Sequence, residues 1–353
     1  MQYEQELTTL LETVITEGAS DLHLTADSQP IIRVSGSLLP LVKHEKYSDE
    51  TVRKFLEILV EPEKAQAFYD EQELDFSYQY KDQGRFRGNA FFERGNISIA
   101  LRLIPREVKT FDELNLPPVL ETFAQLQQGF FLVVGPVGQG KSTTLASMIE
   151  YINQNRTEHI VTIENPIEYI YESKQSIINQ REVRIDTQSF HSALKSAFRQ
   201  DIDVLMVGEM RGPDTMAAAV TAAETGHLVL STLHTNNAAQ TIDRIIDSFP
   251  AGQQDQIRLQ LASSLAGIFS QRLVPRISGG LIPAYELLIN NEAVSNLIRE
   301  RRTHEINAVI ETGLESGMVD MNRSLADLVR RGEVTQENAR SRALDPKAFS
   351  RLM

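Results

Sequence analysis

The sequence predicts an α/β protein of two domains, and three observations lead to that prediction. The chain has 353 residues, a length that suits about two hydrophobic cores. Beyond residue 118, short apolar segments alternate with segments of helical periodicity, which is typical of a parallel sheet covered on both faces. A glycine-rich segment at residues 135–142 joins the first of these strands to the first of these helices.

The N-terminal third predicts a smaller domain of mixed α and β structure. Period-2 alternation and turn residues indicate five strands, at 21–24, 31–34, 74–80, 85–93 and 97–104, with a turn at 35–37. Helical periodicity and capping residues indicate a helix that ends at Gly18, one that Ser48 caps and that runs to Val60, and one that Pro62 opens. We expect this domain at 1–108, and a linker that contains two adjacent prolines at 109–118.

The second domain, expected at 119–353, continues with alternating strands and helices. Apolar segments predict strands at 130–134, 159–163, 204–207, 228–233 and 283–289. Helical periodicity predicts helices at 144–152, 189–200 and 213–225, the last of which begins at Pro213 and ends before Gly226. The pattern from 291 to 353 is almost entirely helical, and we expect a tail of four short helices there.

Composition and charge exclude several classes of protein. The sequence contains no cysteine, so neither a disulfide nor a thiolate zinc site can form. Its apolar runs are far shorter than the roughly 20 residues that span a bilayer, and the N-terminus lacks the basic and apolar regions of a signal peptide. We therefore expect a cytoplasmic protein without direct membrane insertion. The net charge of −13 argues against nucleic acid as a partner.

The glycine-rich segment has the spacing Gly-x-x-x-x-Gly-Lys-Ser, which is typical of a phosphate-binding loop. Glycines allow successive backbone N–H groups to turn towards an anion, and the N-terminus of the following helix adds positive potential. Lys141 is expected to reach the β- and γ-phosphates of ATP, and the Ser142 hydroxyl to bind Mg²⁺. The predicted nucleotide contacts are Gly135, Pro136, Val137, Gly138, Gln139, Gly140, Lys141, Ser142 and Thr143.

Two strands of the second domain are followed by an acidic residue, Glu164 in one case and Glu209 in the other. Because neighbouring parallel strands point their carboxyl ends at the same crevice, we expect both carboxylates near the phosphates. Glu209 would organise Mg²⁺, partly through water, since Gly208 stands where an Asp is more usual. Glu164 would polarise the attacking water. Taken alone, each pattern also fits a core strand followed by a surface glutamate.

Two histidines, His227 and His234, flank the strand predicted at 228–233. A histidine at a strand end beside a nucleotide can donate a hydrogen bond to the γ-phosphate. A metal site is the weaker interpretation, because no third ligand is nearby in the sequence. From the residues alone, a structural role for both histidines is favoured.

The N-terminal domain contains an arginine cluster. The dipeptide at 95–96 predicts a hairpin turn that pairs Arg94 with Ile97 and places Asn89 opposite Arg102. Period-2 alternation then puts four side chains on one face of the sheet: Arg85, Arg87, Asn89 and Arg102. Three arginines on one face repel one another unless acids or an anion lie against them. Either acids from elsewhere neutralise them, or they are arginine fingers that reach ATP bound to a neighbouring subunit.

Together these motifs resemble the secretion-type hexameric ATPases, and within them the type IV pilus retraction ATPases of the PilT family. The similarity runs along nearly the whole chain. The matching segments are the opening signature at 18–24, the Walker A segment at 135–144, the acidic box at 162–168, the segment at 179–183, the atypical Walker B at 207–211, the histidine box at 221–227 and 232–235, the segment at 241–250, and the C-terminal signature at 293–300.

This resemblance implies a PAS-like α+β N-terminal domain, a RecA-like P-loop ATPase domain with a helical C-terminal tail, and a homohexameric ring. The roles that it implies are arginine fingers for Arg87, Arg102 and Arg85, general base for Glu164, Mg²⁺ organiser for Glu209, and phosphate sensors for His227 and His234. It also implies ATP and Mg²⁺ as ligands and Mg²⁺-dependent ATP hydrolysis that powers pilus retraction, for twitching motility or DNA uptake. The implied partners are an inner-membrane platform protein at the pilus base and paralogous pilus ATPases, with a peripheral location at the inner membrane.

Three alternatives stay open beside pilus retraction. A pilus-extension or type II secretion ATPase shares the chemistry, but such relatives usually carry a four-cysteine zinc element, and this chain has no cysteine. A weakly hydrolysing accessory partner is suggested only by Asn165, which stands where the family has an Asp. A RecA-like DNA translocase is opposed by the acidic charge.

Overall fold

The computed structural model describes residues 2–34, 36–81, 83–105 and 107–353. The chain divides into two compact units, one made of residues 1–107 and 168–170, the other of residues 108–167 and 171–353. Both units combine helices with a β-sheet, so the predicted α/β class is confirmed. None of the helices in the described ranges is both long and apolar enough to cross a membrane.

The N-terminal unit contains an antiparallel sheet of six strands in the order β3-β2-β1-β6-β5-β4. Its strands are β1 Asp21–Thr25, β2 Ile31–Val34, β3 Ser37–Pro40, β4 Glu73–Tyr80, β5 Gly84–Glu93 and β6 Asn96–Ile104. Its helices are α1 Gln2–Thr16, α2 Asp49–Leu59 and α3 Pro62–Glu71. The Ser48 hydroxyl accepts a hydrogen bond from the Thr51 amide at 3.2 Å, which confirms the predicted helix cap.

Two details of this unit differ from the prediction. β3 was not predicted, because all four of its residues are exposed and no alternation marks the strand. The hairpin between β5 and β6 turns at Arg94 and Gly95, whose φ angles are 51° and 85°, and Glu93 pairs with Asn96. The turn is therefore one residue earlier than predicted, since both of its central residues adopt the positive φ that this turn needs. Ser35, at the start of the predicted turn at 35–37, lies outside the described residues.

With the turn one residue earlier, the predicted arginines still share one face of the sheet, but the residues that lie opposite one another on β5 and β6 differ from the prediction. Arg102 lies opposite Arg87 and not opposite Asn89, which faces Ala100 instead. The error in the turn moved the register by two residues, so each side chain stays on its predicted face. Two arginines therefore meet directly across the strand pair.

The C-terminal unit contains a sheet of seven strands in the order β13-β12-β7-β11-β10-β8-β9, parallel except for the β12–β13 pair. Its strands are β7 Gly129–Val134, β8 His159–Glu164, β9 Ile177–Glu182, β10 Val204–Val207, β11 Leu228–Leu233, β12 Leu265–Pro275 and β13 Leu281–Ile289. Its helices are α4 Val119–Ala124, α5 Lys141–Asn155, α6 Phe190–Ala197, α7 Pro213–Glu224, α8 Ala238–Asp247, α9 Ala251–Ser264, α10 Glu292–Arg299, α11 Ile306–Thr312, α12 Met321–Arg330, α13 Gln336–Arg342 and α14 Pro346–Leu352.

Every residue of β7, β10 and β11 is buried, because helices cover the sheet on both faces. One apolar cluster contains residues of β7 and of α6 to α9, and a second contains the alternate residues of β7 and those of α5. The tail was predicted as four helices but contains five α-helices, α10 to α14, with two short 3₁₀ turns. β9 and β12 were not predicted, and β12 proves important for the site.

Candidate nucleotide-binding site

The loop between β7 and α5 has a backbone that only glycine adopts easily at three positions. Gly135, Gly138 and Gly140 have φ angles of 150°, 75° and 79°. A Cβ on Gly135 would lie 2.5 Å from the carbonyl oxygen of Gln271, and a Cβ on Gly140 would lie 2.8 Å from Nε2 of Gln271. The close approach of β12 therefore adds a second reason for glycine, beyond the positive φ. Gly140 ends the loop directly before α5, whose N-terminus adds positive potential.

Gln271 on β12 holds this loop in place and was not predicted from the sequence. The side chain is 3% exposed and accepts a hydrogen bond from the Thr144 hydroxyl at 2.7 Å. Its Nε2 donates to the Gln139 carbonyl at 2.7 Å, while the Gln139 side chain accepts from the Leu273 amide at 2.8 Å. A glutamine within an unpredicted strand carries no sequence signal, so only the fold reveals this contact.

Lys141 connects the loop to the end of β11. Its ammonium group donates to the carbonyl oxygens of Gly135 and Pro136 at 2.9 and 3.0 Å and to Nδ1 of His234 at 3.2 Å. An ammonium group only donates, so Nδ1 of His234 accepts and the ring proton is on Nε2. Burial, followed by the charges of Lys141 and Arg211, lowers the pKa of His234 more than Glu209 raises it. The imidazole is therefore neutral at pH 7.

Glu209 follows β10 and lies next to His234. Its Oε2 is 3.9 Å from Nε2 of His234, and its Oε1 is 2.6 Å from Nη2 of Arg211. Lys141, His234, Glu209 and Arg211 thus form a continuous series of polar contacts along the carboxyl edge of the sheet. A cavity of about 670 Å³ opens here and is lined by Glu209, Arg211, Thr232, His234, Thr235 and Arg244.

Glu164 ends β8, which lies directly beside β10, with Ile163 paired to Val207. Its carboxylate is 5% exposed and accepts hydrogen bonds from the Thr162 hydroxyl at 2.7 Å and from Nε2 of Gln180 at 3.2 Å. The structure therefore brings Glu164 and Glu209 to the same edge of the sheet, as the order of strands and acids in the sequence predicts.

His227 lies far from this edge, which corrects its predicted role as a phosphate sensor within the chain's own site. It precedes β11, whose first residue pairs with Gly129, whereas Leu233 pairs with Val134 beside the loop. At about 3.3 Å per strand residue, the seven residue steps from His227 to His234 correspond to about 23 Å. Its Nδ1 is 2.9 Å from the Ala222 carbonyl oxygen in the last turn of α7. That contact fits the structural role that the residues alone favoured.

The arginine face of the N-terminal unit is partly neutralised by acids. Nε of Arg102 donates to Oδ1 of Asp21 at 2.8 Å, and Nε of Arg33 is 3.7 Å from Oδ2 of the same carboxylate. Burial alone would raise the pKa of Asp21, but hydrogen bonds from Ser20 and Arg102 outweigh it and lower the pKa. Arg87 makes no ion pair with any described residue. Of the two alternatives, neutralisation thus holds for Arg102, and the arginine-finger role of Arg87 stays a prediction.

Comparison with known proteins identifies the family. A family model described as type II/IV secretion system protein matches residues 2–341. The chain belongs to this family. The resemblance inferred from the motifs is therefore confirmed.

Two relatives match this secretion-system protein over nearly its whole length. The type IV pilus retraction ATPase PilT of Pseudomonas aeruginosa is 42% identical over 348 residues, which cover 98% of this chain and 100% of the relative. The twitching motility protein of Neisseria gonorrhoeae is 44% identical over 342 residues, which cover 97% of this chain and 91% of the relative. A crystal structure of the pilus retraction motor PilT with bound ADP superimposes with a TM-score of 0.91 at 44% identity and covers 98% of each chain.

Proposed function

We propose that this chain is the ATP-hydrolysing motor that powers retraction of type IV pili. The observation that carries the proposal is the group of Lys141, His234 and Glu209 beside a glycine loop, at the carboxyl edge of a parallel sheet. The similarity to a retraction ATPase over 98% of the chain, and to a retraction motor solved with ADP, supports both the nucleotide and the direction of action.

The groups at this edge suit the hydrolysis of ATP. Lys141 and the loop amides would bind the β- and γ-phosphates, with Ser142 beside them at the start of α5. The Glu164 carboxylate, held by Thr162 and Gln180, would orient and deprotonate the attacking water. His234, whose Nε2 carries the ring proton, would donate to the γ-phosphate or to Glu209.

A magnesium ion fits the donor set, since the Ser142 hydroxyl and the Glu209 carboxylate offer the hard oxygen ligands that it prefers. No group of three or more His, Cys, Asp or Glu side chains in the described ranges could hold a metal ion. We therefore expect the ion to be held jointly with the phosphates of ATP, partly through water. When bound, it neutralises charge on the phosphates.

We further propose a homohexameric ring in which arginines of a neighbouring subunit complete each nucleotide-binding site. Arg87 is the leading arginine finger, because its guanidinium has no ion pair among the described residues. Arg102 would follow after release from Asp21, and Arg85 stays a candidate. A platform protein of the inner membrane at the pilus base is the expected partner, paralogous pilus ATPases are further candidates, and the motor would act from the cytoplasm.

The test compares ATP hydrolysis by the purified full chain with hydrolysis by the Glu164→Ala and Glu209→Ala variants, with and without Mg²⁺. We expect each substitution to lower kcat at least ~100-fold and chelation of Mg²⁺ to abolish hydrolysis. Wild-type protein that hydrolyses no faster than either variant would refute the motor.

The direction of action needs a deletion strain, complemented with wild-type or Glu164→Ala protein and inspected by microscopy. Pili that persist but do not retract are expected when the motor is absent or inactive. Loss of the pili themselves would instead identify an extension motor.

A further inference from the structure

Glu286 is a buried carboxylate on β13 that none of the proposed roles uses. It is 3% exposed and pairs across the strands with Ser270 of β12. Ser270 in turn pairs with Val134, the last residue of the strand that leads into the phosphate loop. Leu288, two residues along β13 and thus on the same face, belongs to the apolar cluster under α8. A carboxylate in such surroundings needs a partner, because burying an unpaired charge is costly.

The partner of Glu286 is the beginning of α8. Oε1 of Glu286 accepts a hydrogen bond from the Ala238 amide at 2.8 Å and lies 3.3 Å from the Ser270 hydroxyl. Ala238 is the first residue of α8 and comes four residues after His234. Its amide is one of those that no carbonyl within a helix can satisfy, and the helix N-terminus favours a negative charge. Glu286 therefore ties the start of α8 to the sheet.

The rest of the segment between His234 and α8 is held only locally. The hydroxyls of Thr235 and Thr241 are 2.7 Å apart, and the Asn237 side chain accepts from the Gln240 amide at 2.8 Å. Across the described residues, every other hydrogen bond of residues 235–238 stays within this segment or α8. The bond to Glu286 is thus the one that relates the segment to the strands that hold the phosphate loop.

An amide in place of this carboxylate would accept the same hydrogen bonds without a buried charge. Burial raises the pKa of Glu286 to about 7, and Asp320 at the start of α12 raises it, while Ala238, Ser270 and Arg272 act in the opposite direction. Ionisation of the carboxylate thus costs stability, and what the site would use is the acceptor oxygen for the Ala238 amide, which a glutamine also offers.

We propose that Glu286 is a positioning residue of the nucleotide site, which fixes the start of α8 and thereby the placement of His234 against Lys141 and Glu209. This inference rests on the proposed ATPase function. It does not make Glu286 a catalytic residue, since its carboxylate is bonded to α8 and β12 and acts through the segment that carries His234.

The primary test removes the acceptor from the full chain with Glu286→Met, which keeps an unbranched side chain of similar volume and so suits an apolar core. We expect kcat for ATP to fall about tenfold, because His234 is misplaced. KM is expected to stay within about twofold, because the contacts of Lys141 and Gln271 with the loop are unchanged. Glu286→Gln keeps an acceptor for the Ala238 amide and should lose no more than about threefold in kcat. Equal losses in the two variants would contradict the role of the hydrogen bond.

A double-mutant cycle with His234→Gln tests the route of the effect. If Glu286 acts through His234, then Glu286→Met causes no further loss of kcat in the His234→Gln background. A matched control is Asp345→Ala, which removes another acidic helix cap, the one whose Oδ1 accepts from the Lys347 and Ala348 amides at the start of α14. This control should keep kcat within about twofold.

The outcomes separate this inference from the function on which it rests. Wild-type protein without ATPase activity would refute the proposed function. If the wild type is active and Glu286→Met is equally active, only the positioning role is refuted. The same holds if the losses of kcat in the two single variants multiply fully in the double mutant. Thermal unfolding of every variant establishes that the compared proteins are folded, and if Glu286→Met is not, Glu286→Leu replaces it with the same expected loss.

Discussion

The two ends of β11 carry the same residue type and different chemistry. His234 follows the strand and lies 3.2 Å from the ammonium group of Lys141, with Glu209 on its other side. His227 precedes the strand, and its ring contacts the Ala222 carbonyl oxygen and the edge of Phe198. One histidine is thus part of a site of charged groups, whereas the other completes the end of a helix.

The difference follows from the direction of the strands. In a parallel sheet all carboxyl ends lie at one edge, so β7, β8, β10 and β11 together bring Lys141, Glu164, Glu209 and His234 to the same place. The opposite edge collects strand beginnings and helix ends, which have no such convergence. The position of a residue relative to its strand, more than its type, therefore decides whether it belongs to the site.

The largest expected effect comes from a glycine at the carboxyl edge. In Gly135→Ala the new Cβ would meet a backbone oxygen at 2.5 Å, so the loop must move and its amides no longer converge on the phosphates. We expect ADP to bind about a thousandfold more weakly, or about 4 kcal/mol, as measured by isothermal titration.

The matched control for that substitution lies at the opposite edge. Gly226 also has a positive φ, 111°, but its Cβ would approach nothing closer than Gln128 at 3.9 Å. Gly226→Ala should lower stability, because alanine is strained at that φ, and leave ADP affinity unchanged. Equal losses of affinity in the two variants would remove the distinction between the edges.

The pH dependence of the free energy of unfolding tests the surroundings of Glu286, the carboxylate that holds the start of α8 near the carboxyl edge. The pKa of Glu286 is about 7 in the folded chain, against 4.5 for an ordinary glutamate, so the folded state binds this proton more tightly. The stability that this group contributes is complete below pH 4.5 and is lost as the pH rises through 7. Glu286→Gln removes this dependence, so its free energy of unfolding should exceed that of the wild type by about 3 kcal/mol at pH 8.

Denaturant unfolding at pH 5 and pH 8 measures this difference. Glu337→Gln, on the exposed face of α13, serves as the control and should follow the wild type at both pH values. A Glu286→Gln variant that is no more stable than the wild type at pH 8 would show that the ionised carboxylate is not penalised by its surroundings.

The smallest expected effect comes from substituting each of the two histidines by glutamine. His234→Gln should lower kcat for ATP about tenfold, because a flexible amide does not hold an acceptor against Lys141 and a donor against Glu209 in the positions of the two imidazole nitrogens. His227→Gln should keep kcat within about twofold and lower the melting temperature instead, since it loses a contact that ends α7. Steady-state kinetics and thermal unfolding of both variants measure the two effects. A loss of kcat in His227→Gln but not in His234→Gln would contradict the conclusion that only the carboxyl edge of the sheet carries the site.

Much of the site was predictable because its signals are local. The loop from Gly135 to Ser142, the acids after β8 and β10, and the Ser48 cap all depend on residues close together in the sequence. Gln271 and Glu286 were not predictable, because each acts across strands through partners that are distant in the sequence. The role of His227 was mispredicted because it was taken from the family motif as a whole, although His227 precedes the predicted strand and His234 follows it.

The most direct measurement is a footprint of both histidines with diethyl pyrocarbonate, followed by mass spectrometry, in the presence and absence of ATP. The reagent acylates neutral imidazoles, and the pKa of His234 is lowered, so this residue reacts at pH 7. Saturating ATP should slow the acylation of His234 at least about fivefold, because phosphates bound by Lys141 would cover the ring. The acylation of His227 should not change. Protection of His227 with His234 left reactive would contradict a nucleotide site at the carboxyl edge of the sheet.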